Sequence, residues 1–417
     1  MEIIKDLEGF IAIRSVLDEN DGFAYGKSID DALNYILDLA GAYGFNTSNL
    51  DGQVGIIEYG DSDKAVGVLA HCDVVPEGSG WLTDPFVLTE IDGKLYGRGS
   101  IDDKGPIIAC LHALKEIKDQ EIKLDRKIQI IIGTDEETLW RGISRFTDSE
   151  KMPELGFTPD GSFPLIHAEK GILDFDISFD LPLDERGNPI EISGGMSRNS
   201  VPDTCSLIVD GQNHTYKGQS CHAMQPEKGE NAICKALMDL SKKINHPSLQ
   251  TFSDLIGLDY YGKKAGCDFE DDISGKLTFN LGKISVNKEK MHMNINVRYP
   301  VTSEPSLVLE RFESVFSDYG YDLIDHLEPL YVDKDHAIVT SLMETYQEHT
   351  GDYKSKPMVI GGGTYARVMK NMVSFGPVYP DQEELAHEAN EYIEKEKLFK
   401  LVDIYKDAMI RLSHTIV

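Results

Sequence analysis

Three consecutive acids, Asp135, Glu136 and Glu137, follow the apolar run IQIII and carry the strongest chemical signal in the chain. A strand too apolar to be a solvated edge delivers them together, and adjacent glutamates cannot point the same way. One can hold a metal ion while its neighbour faces a water molecule, and a glutamate with a raised pKa suits the removal of that water's proton. His71 and Asp73 form an H-x-D triplet after GVLA. Residues i and i+2 of a strand share a face, which permits a ligating imidazole and a carboxylate that orients it. Alone, the triplet reads first as an ordinary hydrogen-bonded histidine. Asp102 and Asp103 stand between a glycine turn and a helix start, where capping aspartates are common, yet where a cation would relieve their repulsion. Asp160 in FTPDGSFP offers a further oxygen and His387 in LAHEAN a further nitrogen. Such a set suits a mixed nitrogen and oxygen dinuclear site, with a bridging carboxylate, ions about 3.5–4 Å apart and a bridging water as nucleophile. Two divalent ions per subunit are expected, zinc first and manganese or cobalt as alternatives. Cys72 would point to the opposite strand face as a buried thiol.

Positioning these groups requires a scaffold. Apolar spacing through Ile3, Ile4, Leu7, Phe10 and Ile11, and again through Ile29, Ala32, Leu33, Ile36 and Leu37, predicts two N-terminal helices. VGIIEYG and KAVGVLAHCDVV predict strands, PIIACLHALKEIKD a helix and RKIQIIIGTDEE a buried strand. The alternation argues for an α/β domain with a partly parallel sheet. HCD, GTDEE and TPDG fall at or beyond strand carboxyl ends, where such sheets bind ligands. From about Gly171 the texture becomes α+β, with alternating LDFDISFDLPL, CSLIVDG, KLTFNLGKISV and KMHMNINVRYP beside two helical stretches. The α/β texture then resumes. The expected organisation is an α/β catalytic, metal-binding domain split between 1–172 and 328–417, with an inserted α+β lid domain at 173–327.

Composition bounds the function classes. The 417 residues are 41% hydrophobic and 27% charged, with a formal net charge of -30. That charge opposes nucleic-acid binding, which depends on basic side chains releasing counterions. No segment approaches the roughly 20 apolar residues of a membrane span. MEIIKDLEGF mixes charges into a short apolar pattern, unlike a secretion signal. Six cysteines lie scattered without paired spacing, so reduced thiols and a cytoplasmic location are expected. GGGTYAR lacks the lysine and hydroxyl residue of a phosphate-binding loop.

Taken in order, HCDVVPEG, LYGRGSIDDKGP, GTDEETLWRG, TPDGSFP, GQSCHAMQPEKGENA, VRYP, GGGTYAR and FGPVYPDQEELAHEANEYI resemble metallopeptidase family M20. Within that family the chain looks like the bacterial dipeptidases of the PepV type, over nearly its whole length. The resemblance implies a two-domain zinc-peptidase fold and a dinuclear metallo-dipeptidase acting on small peptides with a free C-terminal carboxylate. By similarity, His71, Asp102 and Asp160 would ligate one ion, and Asp102, as the bridge, Glu137 and His387 the other. Glu136 would be the general base and Asp73 the residue that orients His71, and a cis peptide would join Asp102 to Asp103. His222 would stabilise the oxyanion, Asn199 would bind substrate near the scissile unit and Arg298 would clamp the carboxylate. Gly362, Gly363 and Thr364 would cradle the same carboxylate. The stretch between Asn199 and His222 is short for the large monomeric dipeptidases, which leaves monomer and lid-mediated homodimer both open. An N-acyl amino acid deacylase with the same dinuclear centre is the nearest rival.

Overall fold

The computed structural model describes residues 2–416 apart from 21, 150, 185, 288 and 384. The chain is an α/β protein that forms two compact units. One comprises Met1–His167, Val332–Met358 and Thr364–Val417; the other comprises Ala168–Tyr331 and Val359–Gly363.

The first unit is built on a mixed sheet in the order Asn46–Leu50, Val54–Tyr59, Lys127–Gly133, Ala65–His71, Leu155–Thr158, Met372–Ser374. Ala65–His71 runs parallel to both neighbours, and Met372–Ser374 runs parallel to Leu155–Thr158. Every residue of Ala65–His71 is buried. That explains its unbroken apolar composition, because helices cover both faces of a parallel sheet. Val66, Val68, Ile130, Ile132 and Phe157 are fully buried, and each such side chain contributes about 1.5–3 kcal/mol. The helices Lys104–Asp119 and Lys395–His414 pack against each other and against the sheet, and Tyr405 stacks on Phe157.

Three adjacent parallel strands end at His71, Gly133 and Thr158, the first two level with each other. Beyond His71 the chain leaves the sheet by exchanging ladder bonds for bonds to Ser15. The Ser15 hydroxyl donates to Cys72 O at 2.6 Å, and Val74 N–H donates to Ser15 O at 2.9 Å. The Asp102–Asp103 peptide is cis. Helix Lys104–Asp119 begins so close beneath this loop that a Cβ on Gly105 would lie 2.0 Å from Ser100 O. Only glycine fits there.

The second unit is a seven-stranded antiparallel sheet in the order Gln212–Lys217, Thr204–Val209, Glu191–Gly194, Thr278–Val286, Lys290–Tyr299, Gly171–Asp180, Asp322–Leu327. Phe175, Phe279, Phe312 and Phe316 cluster in its core. Helix Ala232–Lys243 starts where Asn231 Oδ1 accepts from Ile233 N and Cys234 N, both at 3.0 Å, satisfying two otherwise orphaned donors. Among the described residues no helix is long and apolar enough to cross a membrane. All six cysteines are free thiols.

Candidate metal centre

Neighbouring strand ends of the first unit carry His71, Glu136, Glu137 and Asp160, and two loops bring Asp102 and His387 to them. Ligand atoms of His71, Glu136 and Asp160 lie within 4.8 Å of one another, as do those of His71, Asp102 and Glu137. Asp102 faces a histidine with each oxygen: Oδ1 is 2.9 Å from His71 Nε2, and Oδ2 is 3.1 Å from His387 Nε2. His387 Nε2 is also 2.9 Å from Glu137 Oε2, and His71 Nε2 is 3.8 Å from Asp160 Oδ2. His387 holds a positive φ of 67° in the loop before the last helix.

His71 Nδ1 lies 3.0 Å from the Asp73 carbonyl oxygen and 3.5 Å from its carboxylate. A carbonyl only accepts, so Nδ1 carries a proton and Nε2 is the nitrogen available to an ion. The backbone of Asp73 thus makes the shorter contact to the ring. Its carboxylate instead accepts the N–H groups of Glu136 at 3.2 Å and Glu137 at 3.1 Å. Strand Ala65–His71 stops before Asp73, so the i, i+2 relation does not by itself place both side chains.

Crowding sets the electrostatics. Burial, reinforced by the charges of Asp160 and Glu137, holds the Glu136 acid well above the usual range. Burial and the Asp102 charge push Asp160 up to about 7 and raise Glu137. Burial opposes a charged His71, but hydrogen bonds to Asp102 and Asp73 outweigh it and hold its pKa well above the usual value. Hydrogen bonds to Asp102 and Glu137 push His387 up to about 11. Four carboxylates so close raise one another's pKa values and favour the charged form of both imidazoles.

Divalent cations fit the same place. Ligand atoms 2.9–3.8 Å apart bracket the edge of about 3.3 Å expected for a tetrahedron with bonds of about 2.0 Å. Imidazole and carboxylate suit zinc, manganese or cobalt. Burial pushes the neighbouring Cys72 thiol up to about 12.

Other expected residues lie in the second unit. His222 Nδ1 accepts Met224 N–H at 3.1 Å, and its loop is held by Ala223 N–H donating to Asn199 O at 2.8 Å. The His222 side chain is exposed by area, yet partial desolvation and the Arg298 charge push it down to about 4. Arg298 is buried and donates through Nε to Asn296 Oδ1 at 2.9 Å and through Nη1 to Gly361 O at 3.1 Å. Asn296 in turn donates to Asp174 Oδ2 at 3.1 Å. Gly362 and Gly363 follow Gly361 in this unit, whereas Thr364 falls in the first unit. There the Thr364 hydroxyl caps the turn Tyr365–Val368 by accepting Ala366 N–H at 3.2 Å.

Two supporting residues escape sequence reasoning. Tyr365 sets its ring edge-on to His71, with centroids 6.3 Å apart, and Arg141 binds Asp135 through Nε and its backbone N–H. Both sit inside quoted motifs, but an aromatic or arginine in a loop has no spacing that announces its partner.

A cluster of histidines and carboxylates able to hold divalent ions, gathered from strand ends and loops, defines a metal-dependent hydrolase once it is joined to a recognised family. Residues 67–411 match Peptidase family M20/M25/M40, and the chain belongs to that family. It is a metal-dependent hydrolase of peptide or amide bonds. A Bacillus subtilis protein named "Putative dipeptidase YtjP" is 36% identical over 460 aligned positions, covering 99% of this chain and 97% of the relative. The "Putative dipeptidase SH1171" of Staphylococcus haemolyticus is 36% identical over the same shares of each chain. Among solved structures, human carnosine dipeptidase 1 aligns with TM-score 0.61 at 17% identity, covering 99% of this chain and 96% of its own. The Sulfolobus solfataricus M20 family metallo-carboxypeptidase Sso-CP2 aligns with TM-score 0.63 at 17% identity, covering 99% of each. At these identities the structural likeness speaks for the fold.

Proposed function

We propose that the chain is a dinuclear metallo-dipeptidase of the PepV type, cleaving dipeptides that carry a free C-terminal carboxylate. The first unit would be its catalytic domain and the second its lid. The observation that carries the reading is the placement of Glu136 with His71 and Asp160 in one cluster, where burial keeps the acid raised. A general base needs a pKa near the working pH to take a proton and return it.

Asp102 would bridge two divalent ions, with His71 and Asp160 completing one ligand set and Glu137 and His387 the other. When bound, such ions polarise a carbonyl and lower the pKa of water. Glu136 takes the proton from the attacking water and passes it to the leaving amine. Asp73 holds the base loop and the His71 ring in register. His222 accepts a backbone N–H at Nδ1, so in its neutral form Nε2 carries the proton and can donate to a developing oxyanion, a role worth about 3–4 kcal/mol. Asn199 adds a hydrogen bond near the scissile unit.

Arg298 would receive the substrate carboxylate, aided by the Gly362–Thr364 backbone. A guanidinium matches a carboxylate in bidentate fashion, and Asn296 and Gly361 already fix two of its edges. A substrate of two residues places its carboxylate a fixed distance from the scissile bond. Free thiols throughout support a cytoplasmic setting.

The test is hydrolysis of a free dipeptide panel beside matched N-acetyl amino acids, by chelated protein reloaded separately with zinc and manganese. Turnover of dipeptides restored by metal supports the reading. Turnover confined to N-acetyl substrates would make the protein a deacylase on the same metal centre.

A further inference from the structure

Glu391 carries a carboxylate with no solvent exposure that accepts four hydrogen bonds. Its Oε2 takes Arg98 Nη1 at 2.6 Å and Gly99 N–H at 3.1 Å. Its Oε1 takes Ile101 N–H at 2.9 Å and Asp102 N–H at 3.3 Å. Two oxygens thus collect three backbone donors, those of Gly99, Ile101 and Asp102, from the loop that presents Asp102. Arg98, itself buried, turns its other terminal nitrogen to His387 O at 3.3 Å. One ion pair, between residues 293 positions apart in sequence, therefore grips the backbone at both Asp102 and His387. Asn390 extends the same clasp, accepting Leu82 N–H at 2.7 Å and donating to Gly80 O at 3.2 Å.

A buried ion pair of this kind is a weak source of stability, since desolvation offsets its attraction. Its geometry does something else. His387 sits on a loop with positive φ, and Asp102 sits in a loop outside any helix or strand. Neither would hold its place to a fraction of an ångström unaided. Residues behind the ligands tune affinity when they fix ligand position.

We propose that Glu391, paired with Arg98, is a positioning residue of the metal centre that locks the Asp102 loop and the His387 segment into one rigid piece. The inference rests on the dinuclear reading above, and its effect is on metal affinity rather than on proton transfer. Replacing Glu391 by glutamine keeps the shape but puts an NH2 against N–H donors, so the loop must shift.

The experiment uses the full-length protein and compares the parent with Glu391→Gln, Arg98→Lys and the control Lys395→Gln, whose ammonium pairs with Glu90 on the surface. Zinc affinity is measured by chelator competition, the visible spectrum of the cobalt form reports ligand geometry, and melting of the chelated proteins reports stability. Glu391→Gln should bind zinc about 10–100-fold more weakly with an altered cobalt spectrum, and Lys395→Gln should match the parent. A folded Glu391→Gln with parental affinity and spectrum would overturn the proposal, whatever its melting temperature. Should that variant not fold, Arg98→Lys decides: it keeps the charge but cannot reach both Glu391 and His387 O, so parental zinc binding would overturn the proposal and weakened binding would uphold it. A parent that binds no divalent ion would sink the metal reading and this inference together, whereas a parent that binds two, matched by both variants, would sink only the inference.

Discussion

The carboxylate of Asp73 accepts the backbone N–H of Glu136 at 3.2 Å, so the segment just beyond the strand that ends at His71 also holds the loop that carries Glu136. A second bond to Glu137 N–H at 3.1 Å makes the grip two-pronged. Asp73→Ala should therefore damage both metal binding and turnover. Zinc affinity should fall about 10–100-fold and kcat at saturating metal about 100-fold, the cost of a misplacement near 1 Å. Steady-state kinetics across a metal titration separates the two, and a kcat that recovers fully at high zinc would argue against the loop-holding role.

On the proposed mechanism, Glu136→Gln removes the proton acceptor and leaves a side chain of similar shape. We expect kcat to fall by about 100- to 10,000-fold, with two ions per chain still present. Elemental analysis beside turnover checks this. Loss of metal in proportion to loss of activity would make Glu136 a ligand.

Arg298→Ala should raise KM for a free dipeptide while leaving the dipeptide amide nearly unaffected. Hydrogen bonds to a charged group are worth about 1.5–3 kcal/mol, which corresponds to roughly 10- to 150-fold in KM. The ratio of kcat/KM for acid and amide is the quantity to measure, and a ratio unchanged by the substitution would remove Arg298 from carboxylate binding.

Metal should stabilise the protein more strongly as pH rises. Asp160 stands at about 7 in the metal-free chain, above its unfolded value. A carboxyl raised in this way binds its proton in the folded state and loses that stabilising contribution as pH rises from about 4 through 7. The raised His71 and His387 act in the same direction, because their contribution is full below the unfolded histidine pKa near 6.5 and fades above it. Cations must displace those same protons. The melting temperature of zinc-loaded minus chelated protein should therefore widen between about pH 5.5 and pH 8. A gap that narrows over that range would contradict the electrostatics described.

In the second unit, Asn231→Ala should cost about 1–2 kcal/mol, since it removes a helix cap and the buried donor to Leu281 O at 2.8 Å. Denaturant unfolding measures it, and a change below about 0.5 kcal/mol would mean that water replaces the cap.

The chain itself determined the type of scaffold and which residue types are available to a metal ion. The apolar run AVGVLA and its neighbour IQIII have one good use, burial in the middle of a sheet, and both end in polar residues that are themselves buried and therefore need partners. Histidine and acid types at those ends limited the chemistry to a few metals and a base, because ligand preference is local chemistry. What the tertiary structure decided is which group meets which. Asp102 and His387 are joined by no pattern, yet they lie 3.1 Å apart. The Asp73 carboxylate stands 3.5 Å from the His71 ring and also holds the Glu136 loop, a second contact that depends on the chain direction beyond the strand, set by contacts such as those of Ser15. Glu391 reads as one acid among many in an acidic chain until folding buries it against four donors. Residue type and local periodicity are short-range properties written in the sequence, whereas the pairing of loops far apart in sequence depends on how the core closes, and only the folded chain contains it.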